Sequence, residues 1–206
     1  MKLTGWLFTI LLGIGVIAVF VLYTLNSHST KDVTYDPTES EWKAENFVII
    51  GDGRTQDLQQ YADSQVHFVC QPGADLTWMN TTGIPSSTSM MDKETAVIVM
   101  LGISDLKDAD GYISSLNGWA DKIGETYKAH LYFVSVNPVG DGIFTNNSEI
   151  EKFNSALKTG LSSDVTYTDT YSVLLTQGYS TTDSLHYTAD TSNMLYHTLM
   201  NVILDV

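Results

Sequence analysis

The chain has 206 residues, a formal net charge of −14 and only 10 Lys and Arg. That balance excludes nucleic acid as a partner, because phosphate binding needs clustered cations and no basic stripe runs along the sequence. The single cysteine, Cys70, excludes an internal disulfide and, within an apolar run, reads as a core residue.

Gly5 to Leu25 (GWLFTILLGIGVIAVFVLYTL) carries no charge, and about 20 such residues span the core of a bilayer as a helix. A cleaved signal peptide is the alternative, but its apolar region runs to about 7–15 residues and ends at a small-residue site. Leu25-Asn26-Ser27-His28 is a poor match to such a site. The expected organisation is a cytoplasmic tip and transmembrane anchor at 1–26, a polar linker at 27–45 and one domain at 46–206 with its own core. Lys2 before the span puts the N-terminus in the cytoplasm and the domain outside, in a single-pass protein of the cell membrane. Gly13-Ile14-Gly15 is not the spaced Gly-x-x-x-Gly pattern of packed membrane helices, so the segment reads as a plain anchor.

Beyond the linker, apolar runs alternate with amphipathic stretches. Strands are expected at Phe47–Gly51, His67–Gln71, Ala96–Leu101, His130–Val136 and Asp164–Thr168. Most are continuously apolar, as strands buried on both faces are. Helices are expected at Gln56–Ser64, Asp108–Tyr127, Ser148–Leu161 and Ala189–Leu204. The second carries Ile113, Leu116, Trp119, Ile123 and Tyr127 at three- and four-residue spacing. The third opens with Ser148 and Glu151, a capping-box pattern. The alternation predicts an α/β fold, a three-layer α/β/α sandwich around a parallel, flavodoxin-like sheet of about five strands. Such sheets bind ligands beyond the carboxyl ends of their strands, so chemistry is sought in the loops there.

Three of those loops combine glycine with polar residues: Gly51-Asp52-Gly53-Arg54, Gln71-Pro72-Gly73-Ala74-Asp75 and Gly102-Ile103-Ser104-Asp105. Asp183-Ser184-Leu185-His186-Tyr187 precedes the last helix. Singly, each has a plain structural reading: glycine permits a turn, aspartate caps a helix, and Asp-x-x-His is a short match. In order, they resemble the motifs of the SGNH (GDSL-type) hydrolases over residues 46–205, in a bacterial surface branch. Gly51-Asp52-Gly53 resembles the Gly-Asp-Ser motif except at the serine. Gly73 is the candidate second-motif glycine. Gly102-Ile103-Ser104-Asp105 resembles Gly-x-Asn-Asp except at the asparagine, and Asp183-x-x-His186 matches in full.

The resemblance implies ester hydrolysis or acyl transfer on cell-envelope or carbohydrate O-acyl esters, without cofactor or metal. His186 would be the general base and Asp183 its orienting partner. Gly53, Gly73 and Ser104 would form the oxyanion hole. Asp105 and Arg54 would contact substrate, although Arg54 is equally suited to pairing with a nearby carboxylate. Gly53 keeps a backbone N–H but has no hydroxyl, so the covalent step is lost, which in serine hydrolases costs about 10⁴–10⁶ in rate. Thr55, two residues on, points elsewhere in the expected geometry. Position 53 was either changed from serine deliberately or lost its nucleophile naturally, and the second departure, at Ser104, favours natural loss.

Two functions follow: an extracytoplasmic esterase or acyltransferase scaffold, or a silent relative that binds a glycan or acyl group or serves as a subunit beside a membrane protein. Trp78, Trp119 and Tyr187 either line a sugar site or pack in the core. A flavodoxin-like cofactor domain fits the alternation but lacks any Gly-rich phosphate loop.

Overall fold

A computed structural model describes residues 42–141 and 146–204. The anchor expected at Gly5–Leu25 lies outside the described residues. Among those described, no helix is long and apolar enough to cross a membrane.

Five parallel strands form one sheet in the order β2-β1-β3-β4-β5. They are β1 (Asn46–Gly51), β2 (Val66–Cys70), β3 (Thr95–Met100), β4 (His130–Val134) and β5 (Val165–Thr168). Alternation along each strand divides the core between two faces. Val48 and Ile50 of β1, Val97 and Val99 of β3, and Leu131 and Phe133 of β4 face one cluster. Phe47 and Ile49, Ala96 and Ile98, and Tyr132 and Val134 face the other. The three central strands, β1, β3 and β4, are nearly continuously apolar because both of their faces are covered, whereas the edge strands β2 and β5 are partly exposed.

Helix α1 (Gly53–Gln56) follows β1, and α2 (Leu76–Trp78) and α3 (Ile84–Ser87) follow β2, joined by a wider helical turn at Met79–Gly83. The longer helices are α4 (Ala109–Tyr127), α5 (Asn147–Gly160), α6 (Thr170–Gln177) and α7 (Ala189–Leu204). Tyr112, Leu116 and Ile123 of α4 pack on the first face with Ile150, Phe153 and Leu157 of α5. Leu195, Leu199 and Ile203 of α7 and Leu174 of α6 cover the second.

Two expectations are corrected. The helix expected at Gln56–Ser64 is instead α1, started by the Asp52 side chain, followed by a short 3₁₀ turn at Gln59–Tyr61. The expected Ser148/Glu151 capping box does not form. Asn146 caps α5 by accepting from the Glu149 N–H, and Glu151 instead accepts a hydrogen bond from the Tyr171 hydroxyl at 2.9 Å. Asn146 takes the N-cap two residues earlier and satisfies the Glu149 N–H, so Ser148 lies inside the helix.

Candidate active site

The strand register brings three loops to one edge. Gly51 is paired with Cys70 on one side and Met100 on the other. Gly53, Gly73 and Gly102 therefore each follow within three residues of a mutually paired set, at the carboxyl ends of β1, β2 and β3.

The turn after β1 is held by a buried carboxylate. Asp52 Oδ1 accepts from the N–H of Arg54 at 2.9 Å and of Thr55 at 3.3 Å. The Thr55 hydroxyl is buried and donates to the Met100 carbonyl at 3.1 Å, which ties α1 to β3 and engages this hydroxyl within the fold. Gly51 is fixed by the same side chain, because a Cβ there would overlap Thr55. Gly53 is under no such constraint. Its backbone is helical, and a Cβ built on it would meet its nearest neighbours, His186 Nε2 and Pro72 Cα, at 3.7 Å. Those are ordinary contacts, so a side chain fits.

Asp183 and His186 meet within one tight loop. Ser184 adopts a left-handed backbone, φ 68°, which turns the chain back on itself. Asp183 Oδ1 then accepts from the N–H of Leu185 at 3.0 Å and of His186 at 2.7 Å, while Oδ2 lies 2.7 Å from His186 Nδ1. These backbone donors, with the His186 ring, hold the Asp183 carboxyl down at about 2. An ionised carboxylate only accepts, so Nδ1 carries a proton and Nε2 is turned toward position 53 as the basic nitrogen.

Two loop glycines have backbone reasons. Gly73 has φ +72° in the exposed turn beside Pro72. Gly102 has φ +126°, and a Cβ there would come within 2.8 Å of both Phe153 and Val136. Ser104 follows on the same loop and is exposed, bordering an open groove of about 510 Å³ with Ile103, Leu106, Lys107 and Lys152.

Asp105 and Arg54 are turned inward. Asp105 Oδ2 accepts from the Leu76 N–H and Oδ1 from the Tyr112 hydroxyl, each at 2.8 Å, and burial raises its pKa. It thus ties the loop after β2 to the loop after β3 instead of presenting a free carboxylate. The Arg54 guanidinium donates to the Asn137 carbonyl at 3.2 Å, and its Nε stands 3.9 Å from Asp52 Oδ2. Of its two sequence readings, the structure shows the carboxylate partner. The aromatics are packed too: Trp119 Nε1 donates to Asn80 at 2.8 Å, Trp78 lies against the first core, and the Tyr187 hydroxyl donates to the Pro138 carbonyl.

Sequence reasoning missed the brace beneath this edge. Asn154 accepts from the Val136 N–H and donates to the Val136 carbonyl, at 2.8 and 2.9 Å. Asn147 makes the same pair of bonds to Val139, at 2.8 and 3.0 Å. Ser184 accepts from the Gly140 N–H through its carbonyl, and its hydroxyl donates to the Asp141 carbonyl. The segment after β4 is thereby fastened to α5 on one side and to the Asp183–His186 loop on the other. Isolated asparagines carry no spacing signal that would have revealed it. Cys70, at the end of β2, has its thiol pushed up to about 12, first by burial and then by Asp52, so it supplies no thiolate. Among the described residues, no cluster of three or more His, Cys, Asp and Glu is placed to hold a metal.

No protein-family model matches the chain, and no curated protein sequence does. Solved structures do. A member of the lipolytic G-D-S-L family from Veillonella parvula is similar with a TM-score of 0.62 at 14% identity, over 78% of this chain and 99% of that one. The acetyl xylan esterase AlAXEase has a TM-score of 0.60 at 11% identity, over 77% and 99%. The C-terminal catalytic domain of Streptococcus pneumoniae peptidoglycan O-acetyltransferase A has a TM-score of 0.54 at 17% identity, over 79% and 94%. The four sequence motifs, the loops that the strand register gathers and these likenesses agree, and the chain has the SGNH/GDSL-hydrolase fold.

Proposed function

We propose that the chain is an acyl-ester-processing domain of the SGNH type, acting on O-acyl groups of cell-envelope or other carbohydrate, in which Gly53 closes the covalent route. The observation that carries this reading is the distance from position 53 to His186. A Cβ there would lie 3.7 Å from Nε2, so a serine hydroxyl one bond further falls within hydrogen-bond reach of a base already oriented by Asp183. What position 53 lacks for that role is a hydroxyl. The acyl and carbohydrate parts of the reading rest on the names of the structural relatives, an acetyl xylan esterase and a peptidoglycan O-acetyltransferase. The groove beside Ser104 offers room for a sugar. Placement outside the cell on an N-terminal anchor rests on the apolar Gly5–Leu25 segment.

The second reading is a silent binding or scaffold subunit, with a membrane protein as its partner. It is favoured by two departures at one edge, Gly53 and Ser104.

The test is to compare the unmodified chain with Gly53→Ser, using a short-chain aryl acetate and a fluorophosphonate probe. Gly53→Ser is expected to take the label at position 53 and to hydrolyse the acetate at least ~10³-fold faster than the unmodified chain. A folded Gly53→Ser that neither labels nor hydrolyses would remove the acyl-ester reading and leave the scaffold one.

A further inference from the structure

Resting on the acyl-ester reading, we propose that the unmodified chain hydrolyses acyl esters by a single displacement, with the His186–Asp183 pair acting as general base on a water seated beside Gly53. Three observations lead there.

The first is space. A serine side chain beyond the Cα is about the size of one water, whose share of liquid volume is about 30 Å³. Position 53 leaves that space between His186 Nε2 and Pro72, with neither nearer than 3.7 Å to a Cβ. A water there has the imidazole nitrogen as acceptor on one side and the open cleft on the other.

The second is the state of the base. Asp183 fixes Nδ1 at 2.7 Å and anchors the His186 N–H at 2.7 Å, so the ring is held while Nε2 stays open to the cleft.

The third is the donor set. The Asp52 cap engages the N–H groups of Arg54 and Thr55 and does not use that of Gly53. Gly73, at φ +72°, lies on the neighbouring loop. Substituting glycine for serine alters neither backbone donor.

The step balances without a co-reactant. Water oxygen bonds to the acyl carbon as its proton passes to His186 Nε2. The tetrahedral intermediate then collapses by breaking the bond to the ester oxygen, and that oxygen takes the proton from Nε2 and leaves as the alcohol. The acid is released directly, and no acyl-enzyme forms.

The experiment follows aryl acetate hydrolysis by the full chain at neutral pH, beside His186→Ala, Asp183→Asn and Gly53→Ser. The expected result is slow steady hydrolysis by the unmodified chain, with no burst of aryl alcohol and no fluorophosphonate label. The His186→Ala rate should be about 10²-fold lower, as befits one general base. Imidazole added to His186→Ala should restore part of the loss over and above its own reaction with the aryl acetate in the absence of protein, which a folding defect would not permit. An unmodified chain no faster than His186→Ala overturns the proposal. If Gly53→Ser is then active, only water attack falls and the acyl-ester reading stands. If Gly53→Ser is also inactive, both fall. A burst or a label on the unmodified chain also overturns the proposal, because a covalent nucleophile would then be present.

Discussion

At the scale of single residues, the candidate general base and its partner lie in one loop of four. Asp183-x-x-His186 was readable as a pairing, but its geometry was not, because that depends on Ser184 adopting φ 68°. With that turn made, one carboxylate oxygen serves two backbone N–H groups and the other serves the imidazole. A measurable consequence is the titration of Asp183, whose carboxyl is lowered from an ordinary value of 3.8 to about 2. A lowered folded value means the ionised form supports the loop above about pH 4, and that support is lost as pH falls through about 2. Carboxyl-carbon NMR of the folded chain should place the Asp183 midpoint near 2, and a midpoint near 4 would mean these hydrogen bonds do not persist in solution. Gly53 and Arg54 show the opposite limit of sequence reading. The missing hydroxyl was plain from the letters. Whether Arg54 faced a ligand or a carboxylate depended on Asn137, eighty-three positions away along the chain.

At the scale of elements, the strands were legible and the short helices were not. All five strands lie within two residues of their expected bounds: the central ones because apolar runs have few alternatives in a sheet covered on both faces, the edge ones because their Val, Phe, Tyr and Thr residues favour strand. The run of short helical turns from Leu76 to Ser87 and helix α6 were missed. Each is too brief to show a full apolar period, and Pro85 and Gly83 argue against helix locally. The loop glycines were legible as motif positions, whereas the reason for Gly102 lies in another element. Its φ of +126° suits glycine alone, and the space a Cβ would need is filled by Phe153 of α5 and by Val136. Gly102→Ala therefore combines backbone strain, about 1–2 kcal/mol, with overpacking, about 1–3 kcal/mol. Urea unfolding should show a midpoint shift equivalent to a loss of about 2–5 kcal/mol with unchanged slope. A loss below about 0.5 kcal/mol would mean the β3 loop can relax away from α5.

At the scale of the whole molecule, the edge that carries the site depends on both faces of the sheet. The loops after β1, β2 and β3 are set by the register, the segment after β4 is braced by Asn147 and Asn154 of α5 on the first face, and the Asp183–His186 loop leads into α7 on the second. Each face has a buried side chain that no hydrogen bond complicates: Phe153 on the first and Leu199 on the second. Phe153 touches Tyr112 ring to ring, with centroids 5.3 Å apart. Replacing a buried phenylalanine by alanine costs about 3–5 kcal/mol and a buried leucine about 2–5 kcal/mol, according to how far the site collapses. The two residues share no cluster, and the sheet stands between them. Alternate residues of β1, β3 and β4 nevertheless feed both clusters, so neither face can unfold while the other keeps its strands. Phe153→Ala and Leu199→Ala should therefore each lower stability by these amounts and add in the double variant to within about 0.5 kcal/mol. Far-UV and near-UV transitions should coincide in all three. Separated transitions would show that the two layers unfold independently, so that the edge can lose His186 while keeping Gly53, whereas a double variant far from additive would show that the two clusters are coupled through the sheet.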